Sequence, residues 1–140
     1  MADGRALSSP HPELCVGAVV VDAGRLLLVQ RGRGVGIGAW SVPGGRVEVG
    51  EAMADAVRRE LYEETGLRGR VVRHLGWVER IGSEAHFVIH DYLVAVGDPG
   101  AATAGDDAAA VQWVPLDVVG DMPGLAPGLA GFLRDHAVIP

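Results

Sequence analysis

"GGRVEVGEAMADAVRRELYEETGL", residues Gly44 to Leu67, decides how this chain is read. A glycine pair and a turn lead into a segment, 52–65, in which Met53, Val57 and Leu61 recur at four-residue steps with Ala54 on the same side. That spacing predicts an amphipathic helix, and Gly66 is its natural stop. Glu60, Glu63 and Glu64 then fall within an arc of about 100° at 3.6 residues per turn, at the edge of the apolar face. Like charges three and four apart repel. Arg59 stands four residues before Glu63 and can pair with it, and Glu51 precedes the helix, where the dipole favours an acid. A solvated charged face is one reading. The other is a site for a hard divalent cation, which takes oxygen ligands and would relieve the repulsion.

Working outward, 15–31 is two apolar runs around Asp22-Ala23-Gly24, a hairpin signal. Segment 32–39 has glycine at every second residue and reads as a mobile loop. In "WSVPGG" (40–45), Pro43 keeps the preceding residues extended, and 46–51 reads as a short strand and turn. Beyond the helix, 71–81, 86–96 and 110–116 read as strands, with Gly82-Ser83 at a turn and 97–107 as loop. Residues 123–136 read as a proline-punctuated helix with Leu129, Phe132 and Leu133 as its apolar face. The order predicts an α/β (α+β) fold, a mixed β-sheet flanked by helices. Residues 1–13 read as a flexible arm, and 14–140 as a single domain.

The composition is globular, 49% hydrophobic and 21% charged, with a net charge of -6. That balance argues against a nucleic-acid polymer as partner, though not against a small phosphorylated ligand whose cations invert the local field. All 12 basic residues are Arg, which excludes a Schiff-base lysine and a phosphate-loop lysine. One cysteine, Cys15, excludes an internal disulfide, and on an apolar strand it reads as a small buried hydrophobe. No apolar run has the length of a membrane span, and the first residues lack signal-peptide order, so the expectation is a cytoplasmic protein with no membrane partner.

Gly45, five residues, Glu51, seven residues, then Arg59-Glu60-Leu61-Tyr62-Glu63-Glu64-Thr65-Gly66-Leu67 matches every fixed position of the Nudix box. The chain resembles a Nudix hydrolase of the MutT-like, nucleotide-pyrophosphatase kind. "GAWSVPGGRVEVGE" before the box and "VQWVPLD" after it resemble the family as well. The resemblance implies an α/β/α sandwich. It implies that Glu60, Glu63 and Glu64, with the Gly44 carbonyl, hold Mg²⁺ or Mn²⁺. Arg59 would orient the carboxylates and Glu51 would hydrogen-bond into the same network. The implied reaction is hydrolysis of a diphosphate linkage. The base is either a box glutamate or an acid outside the box. Asp106 and Asp107 precede "VQWVPL", and Asp107 resembles the extra metal-binding acid of some relatives. An ordinary turn pair is the other reading.

The resemblance also implies that Arg31 reaches substrate phosphates, a role suited to its forked donors, with Arg33 as a solvated loop residue. Trp40 either stacks on a base or forms core or pocket wall. His86 and His90 share one strand face with Val88 and Tyr92, a polar strip that reads a base or simply packs. Motifs typical of ADP-ribose, dinucleoside polyphosphate and NADH enzymes are absent after the box. The expected substrate is a nucleoside triphosphate, cleaved to monophosphate and pyrophosphate. ADP-ribose or another nucleoside diphosphate-sugar is the alternative, and a non-catalytic nucleotide-binding module a further one. Family habit allows a homodimer.

Overall fold

A computed structural model describes residues 11–34, 36–105 and 108–140. In chain order the elements are β1 (Glu13–Val19), β2 (Val21–Asp22), β3 (Arg25–Arg31), β4 (Trp40–Ser41), β5 (Gly44–Arg46), α1 (Met53–Thr65), β6 (Gly69–Ile81), β7 (His86–Val96), β8 (Ala108–Pro115) and α2 (Leu129–Asp135). The strands form two four-stranded sheets. The first runs β5-β1-β7-β6 and is mixed, because β1 and β7 are parallel while β5 and β6 pair antiparallel to them. In the second, β3 pairs antiparallel with β2 and β4 and, independently, with β8.

Each sheet strand serves two layers because its side chains alternate. Val16, Ala18, Val20 and Leu27 pack with Ala56, Val57 and Leu61 of α1. Val19, Leu26, Leu28 and Val114 pack with Leu129, Phe132 and Leu133 of α2. The two clusters give the α+β sandwich expected of the sequence. Burying each of the Val, Leu and Phe side chains is worth about 1.5–3 kcal/mol.

The predicted hairpin turns at Ala23 and Gly24, both with positive φ (50° and 74°), the pairing a tight two-residue turn requires. Helix α1 stops at Gly66, whose φ of 74° lets its N–H reach the Tyr62 carbonyl. Thr65, fully buried, donates Oγ1–H to the Leu61 carbonyl and accepts the Leu67 N–H. The carbonyls of Glu64 and Thr65 accept the N–H groups of Gly105 and Thr103. The loop before β8 is therefore fastened to the end of the box helix.

Several details differ from the sequence reading. Ala56, not Ala54, is the fully buried small residue of α1. The last helix covers Leu129–Asp135 alone, because the chain reaches it through Pro127 and a Gly128 with φ 80°. The strand expected over 46–51 is confined to Gly44–Arg46, and the rest is a turn closed by the Glu51 N–H on the Glu48 carbonyl. The glycine loop is not loose in its described part. Ala39 N–H bonds Gly36, Gly38 N–H bonds Arg31, and Gln30 Nε2 donates to the Gly38 carbonyl at 3.1 Å. The expected arm is cut short by β1, which begins at Glu13, and residues 1–10 lie outside the described residues. No helix among the described residues is long and apolar enough to cross a membrane.

Candidate functional site

Arg59 organises the box. Its Nε and Nη2 donate to Glu51 Oε2 and Oε1 at 2.8 and 2.9 Å. Nη1 donates to Glu60 Oε2 at 3.1 Å and Glu63 Oε1 at 3.2 Å, and Nη2 also donates to the Arg46 carbonyl at 3.0 Å. All five guanidinium donors are used, which a lysine could not reproduce. The Arg59 hydrogen bonds, with the Glu48 N–H, hold the Glu51 carboxyl down at about 2. Arg59 itself is pushed further up, chiefly by Glu51.

The acids do not behave alike. Glu64 is buried and Glu60 nearly so, whereas the Glu63 side chain is 52% exposed and tied to Arg59. Burial first, then the hydrogen-bonded and charged Glu60 beside it, push the Glu64 carboxyl up to about 9, against the Gly44 N–H that donates to its Oε2 at 3.2 Å. Gly45 leaves the space Glu60 occupies: a Cβ there would fall 2.4 Å from Glu60 Oε2. Two carboxyls crowded together in partial burial, with oxygen donors only, fit a hard divalent cation. Among the described residues Glu63 does not close a group of three with them. The observed Gly44 contact is through its N–H.

Glu60, Glu64, Gly44, Gly45, Arg46 and Arg31 line a cavity of about 650 Å³ that runs between the two sheets toward α2. Its volume suits a nucleotide-sized ligand. Arg31 thus lines the same cavity as the acids, and Arg33 lines it too. His86 and Trp40 do not line the cavity, which agrees with the packing alternative for each and not with contact to a base. His86 is on the opposite face of β7 from the cavity, because Phe87, Ile89 and Asp91 take the inward positions; its Nε2 lies 3.0 Å from Glu79 Oε2. Its stripe partner His90 sits with Nδ1 2.9 Å from His74 Nε2. Trp40 is not among the lining residues; it packs against the α2-side core and its backbone bridges Gly124 and Ala126. Asp106 and Asp107 lie outside the described residues. Cys15 is buried at the cavity wall, and burial pushes its thiol up to about 11, so it is no nucleophile at neutral pH.

Sequence reasoning passed over Asp91 and Arg80, both of which line the cavity. The signal for Asp91 was present: a lone acid inside the apolar strand "HFVIHDYLV".

A family model described as NUDIX domain matches residues 11–136, and the chain belongs to that family. It is 35% identical over 105 residues to the oxidized purine nucleoside triphosphate hydrolase of Danio rerio, covering 72% of this chain and 65% of that protein. It is 30% identical over 128 residues to the ADP-ribose pyrophosphatase of Methanocaldococcus jannaschii, covering 90% and 73%. The chain spans only 33% and 65% of two of the curated relatives it matches. Among solved structures, a MutT NUDIX hydrolase from Burkholderia pseudomallei superposes with a TM-score of 0.78 at 30% identity, covering 89% of this chain and 97% of that one. A MutT protein from Methanosarcina mazei Go1 gives 0.82 at 24% identity, covering 93% and 96%, a likeness of fold.

Proposed function

We propose that this protein is a divalent-metal-dependent hydrolase that cleaves a nucleoside triphosphate to its monophosphate and pyrophosphate. The observation that carries the reading is the crowded Glu60–Glu64 pair facing a nucleotide-sized cavity beside Arg31. Mg²⁺ or Mn²⁺ held by Glu60, Glu64, Glu63 and the Gly44 carbonyl would supply Lewis-acid stabilisation of the phosphate oxygens and a more acidic water. Arg59 fixes Glu60 and Glu63 and neutralises part of their charge, and Glu51 locks Arg59. Arg31 and Arg46 line the cavity and would bring positive charge to the phosphates, Arg46 while its Nε stays paired with Glu13 Oε1 at 2.9 Å. The proton of the attacking water goes to a box glutamate or to Asp107. Removal of a modified or surplus nucleotide is the purpose such a reaction serves.

The likeness to an ADP-ribose pyrophosphatase over 90% of this chain favours a second reading, hydrolysis of a nucleoside diphosphate-sugar. One panel separates the two. Standard and oxidised (d)NTPs, ADP-ribose, NADH and dinucleoside polyphosphates are incubated with and without Mg²⁺ or Mn²⁺, and phosphate products are measured. Metal-dependent pyrophosphate release from a triphosphate supports the first reading. Turnover of ADP-ribose alone replaces it with the second. No turnover by folded, cation-binding protein overturns both and favours a nucleotide-binding module.

A further inference from the structure

The phosphate chemistry uses Glu51, Arg59, Glu60, Glu63 and Glu64. It leaves one acid of the cavity unexplained. Asp91 sits in the middle of β7, paired across the sheet with Gly17 on one side and Gly76 on the other. It is 4% exposed, and its Oδ1 is buried with no hydrogen-bond partner among the described residues. A Cβ at Gly17 would lie 2.0 Å from Oδ1, so the missing side chain of β1 is the room in which the carboxyl stands. The cavity that Asp91 lines is also lined by Val42, Val78, Phe87, Ile89, Leu129 and Phe132. Burial pushes the carboxyl up to about 7, and the charge of Arg80 offsets that only in part.

A buried acid without a protein partner is costly, and native structures keep few of them. This one lines the same cavity as Glu60 and Glu64, together with several apolar side chains. Apolar walls discriminate weakly between flat rings, whereas a buried polar group that must be paired discriminates strongly. We propose that Asp91 is the specificity residue for the base, accepting hydrogen bonds from the amino group of an amino-bearing nucleobase. The inference rests on the reading of the cavity as a nucleotide site. Guanine, adenine and cytosine each present an exocyclic N–H₂ group. Above about pH 7, where the carboxyl is ionised, uracil and thymine offer it one imide N–H between two carbonyls, whose oxygens would face the carboxylate oxygens with the same partial charge. Phe87 and Phe132 supply apolar contact to the ring and carry no base identity.

The test is kcat/KM in Mg²⁺ at about pH 8, where Asp91 is ionised, for dGTP, dATP, dCTP, dTTP and dUTP, with wild type, Asp91→Asn and Asp91→Leu. Wild type is expected to favour at least one amino-bearing base over dTTP and dUTP by about tenfold or more. Asp91→Asn presents a donor as well as an acceptor and is expected to shrink that ratio below about threefold, mainly through KM. Asp91→Leu is expected to do the same, with thermal melts confirming that both variants fold. A wild type indifferent to the base, or a ratio that both variants leave unchanged, overturns the assignment while the hydrolase reading stands. If no triphosphate is cleaved, the hydrolase reading fails separately, and calorimetric binding of GMP, AMP, CMP and UMP decides. Tighter binding of an amino-bearing monophosphate, lost in Asp91→Asn, supports the role of Asp91. Equal binding, or none, overturns it.

Discussion

Arg59 and Glu51 meet fork to fork across the turn that opens the box helix, with two N–H···O bonds of 2.8 and 2.9 Å. The pair is an anchor: with Glu51 fixing one edge of the guanidinium, the other edge reaches Glu60 and Glu63. Arg59→Lys keeps the charge and loses the fork. Steady-state kinetics should show a loss of roughly 10–100-fold, the usual cost of removing a partner that orients ligands. Glu51→Gln tests the same contact by pH. The Glu51 carboxyl is lowered from 4.5 to about 2, so its stabilisation is fully present above 4.5 and is lost as pH falls toward 2. Acid unfolding of Glu51→Gln should lack that contribution, and an acid limb identical to wild type would show the contact to be idle.

Cation binding should follow the crowded pair. Mg²⁺ or Mn²⁺ should raise the melting temperature of wild type, since a ligand that binds only the folded state stabilises it. Glu64→Gln and Glu60→Gln should abolish the shift and most turnover. Glu63→Gln should also remove most activity and leave the fold intact, because Glu63 is exposed and its loss opens no cavity. A full cation shift in Glu60→Gln would contradict the site.

Asp91 should leave its mark on stability as well. Its carboxyl is raised from 3.8 to about 7, so the folded protein keeps a proton that the unfolded chain gives up in between. Stability should therefore fall as pH rises through about 4 to 7. Asp91→Asn should flatten that slope in denaturant titrations at several pH values. An unchanged slope would mean that the carboxyl is hydrated or paired in solution.

Gly105 is where the loop closes on the box helix. A Cβ there would lie 1.8 Å from the Glu63 carbonyl oxygen, a backbone atom that cannot step aside. Gly105→Ala should cost about 1–3 kcal/mol, as overpacking does, and lower the melting temperature accordingly. Retention of wild-type stability would show that the loop has another seat.

Much of this was legible in order along the chain. The helix over the box, its Gly66 stop, the hairpin at Ala23-Gly24 and the strand 86–96 follow from local rules, periodicity and backbone conformation, and need no knowledge of what packs against them. The short α2 was not legible, because an apolar pattern in 123–136 does not report a left-handed Gly128. That His86 faces away from the cavity was not legible for a related reason. Alternation places His86 with Val88 and His90, but which face of a strand looks into a cavity depends on what lies across from it.

The sequence by itself determined which residues stand together: a fixed spacing of Glu51, Arg59, Glu60, Glu63 and Glu64 on a turn and a helix, where neighbours three and four apart must meet. Only the tertiary structure decided how those acids differ and what they face. Burial against Gly44 and Gly45 sets Glu64 and Glu60 apart from Glu63, and the pairing of β1 with β7 puts Asp91 opposite Gly17. Both depend on desolvation and close approach between residues far apart in the chain, which no local pattern encodes.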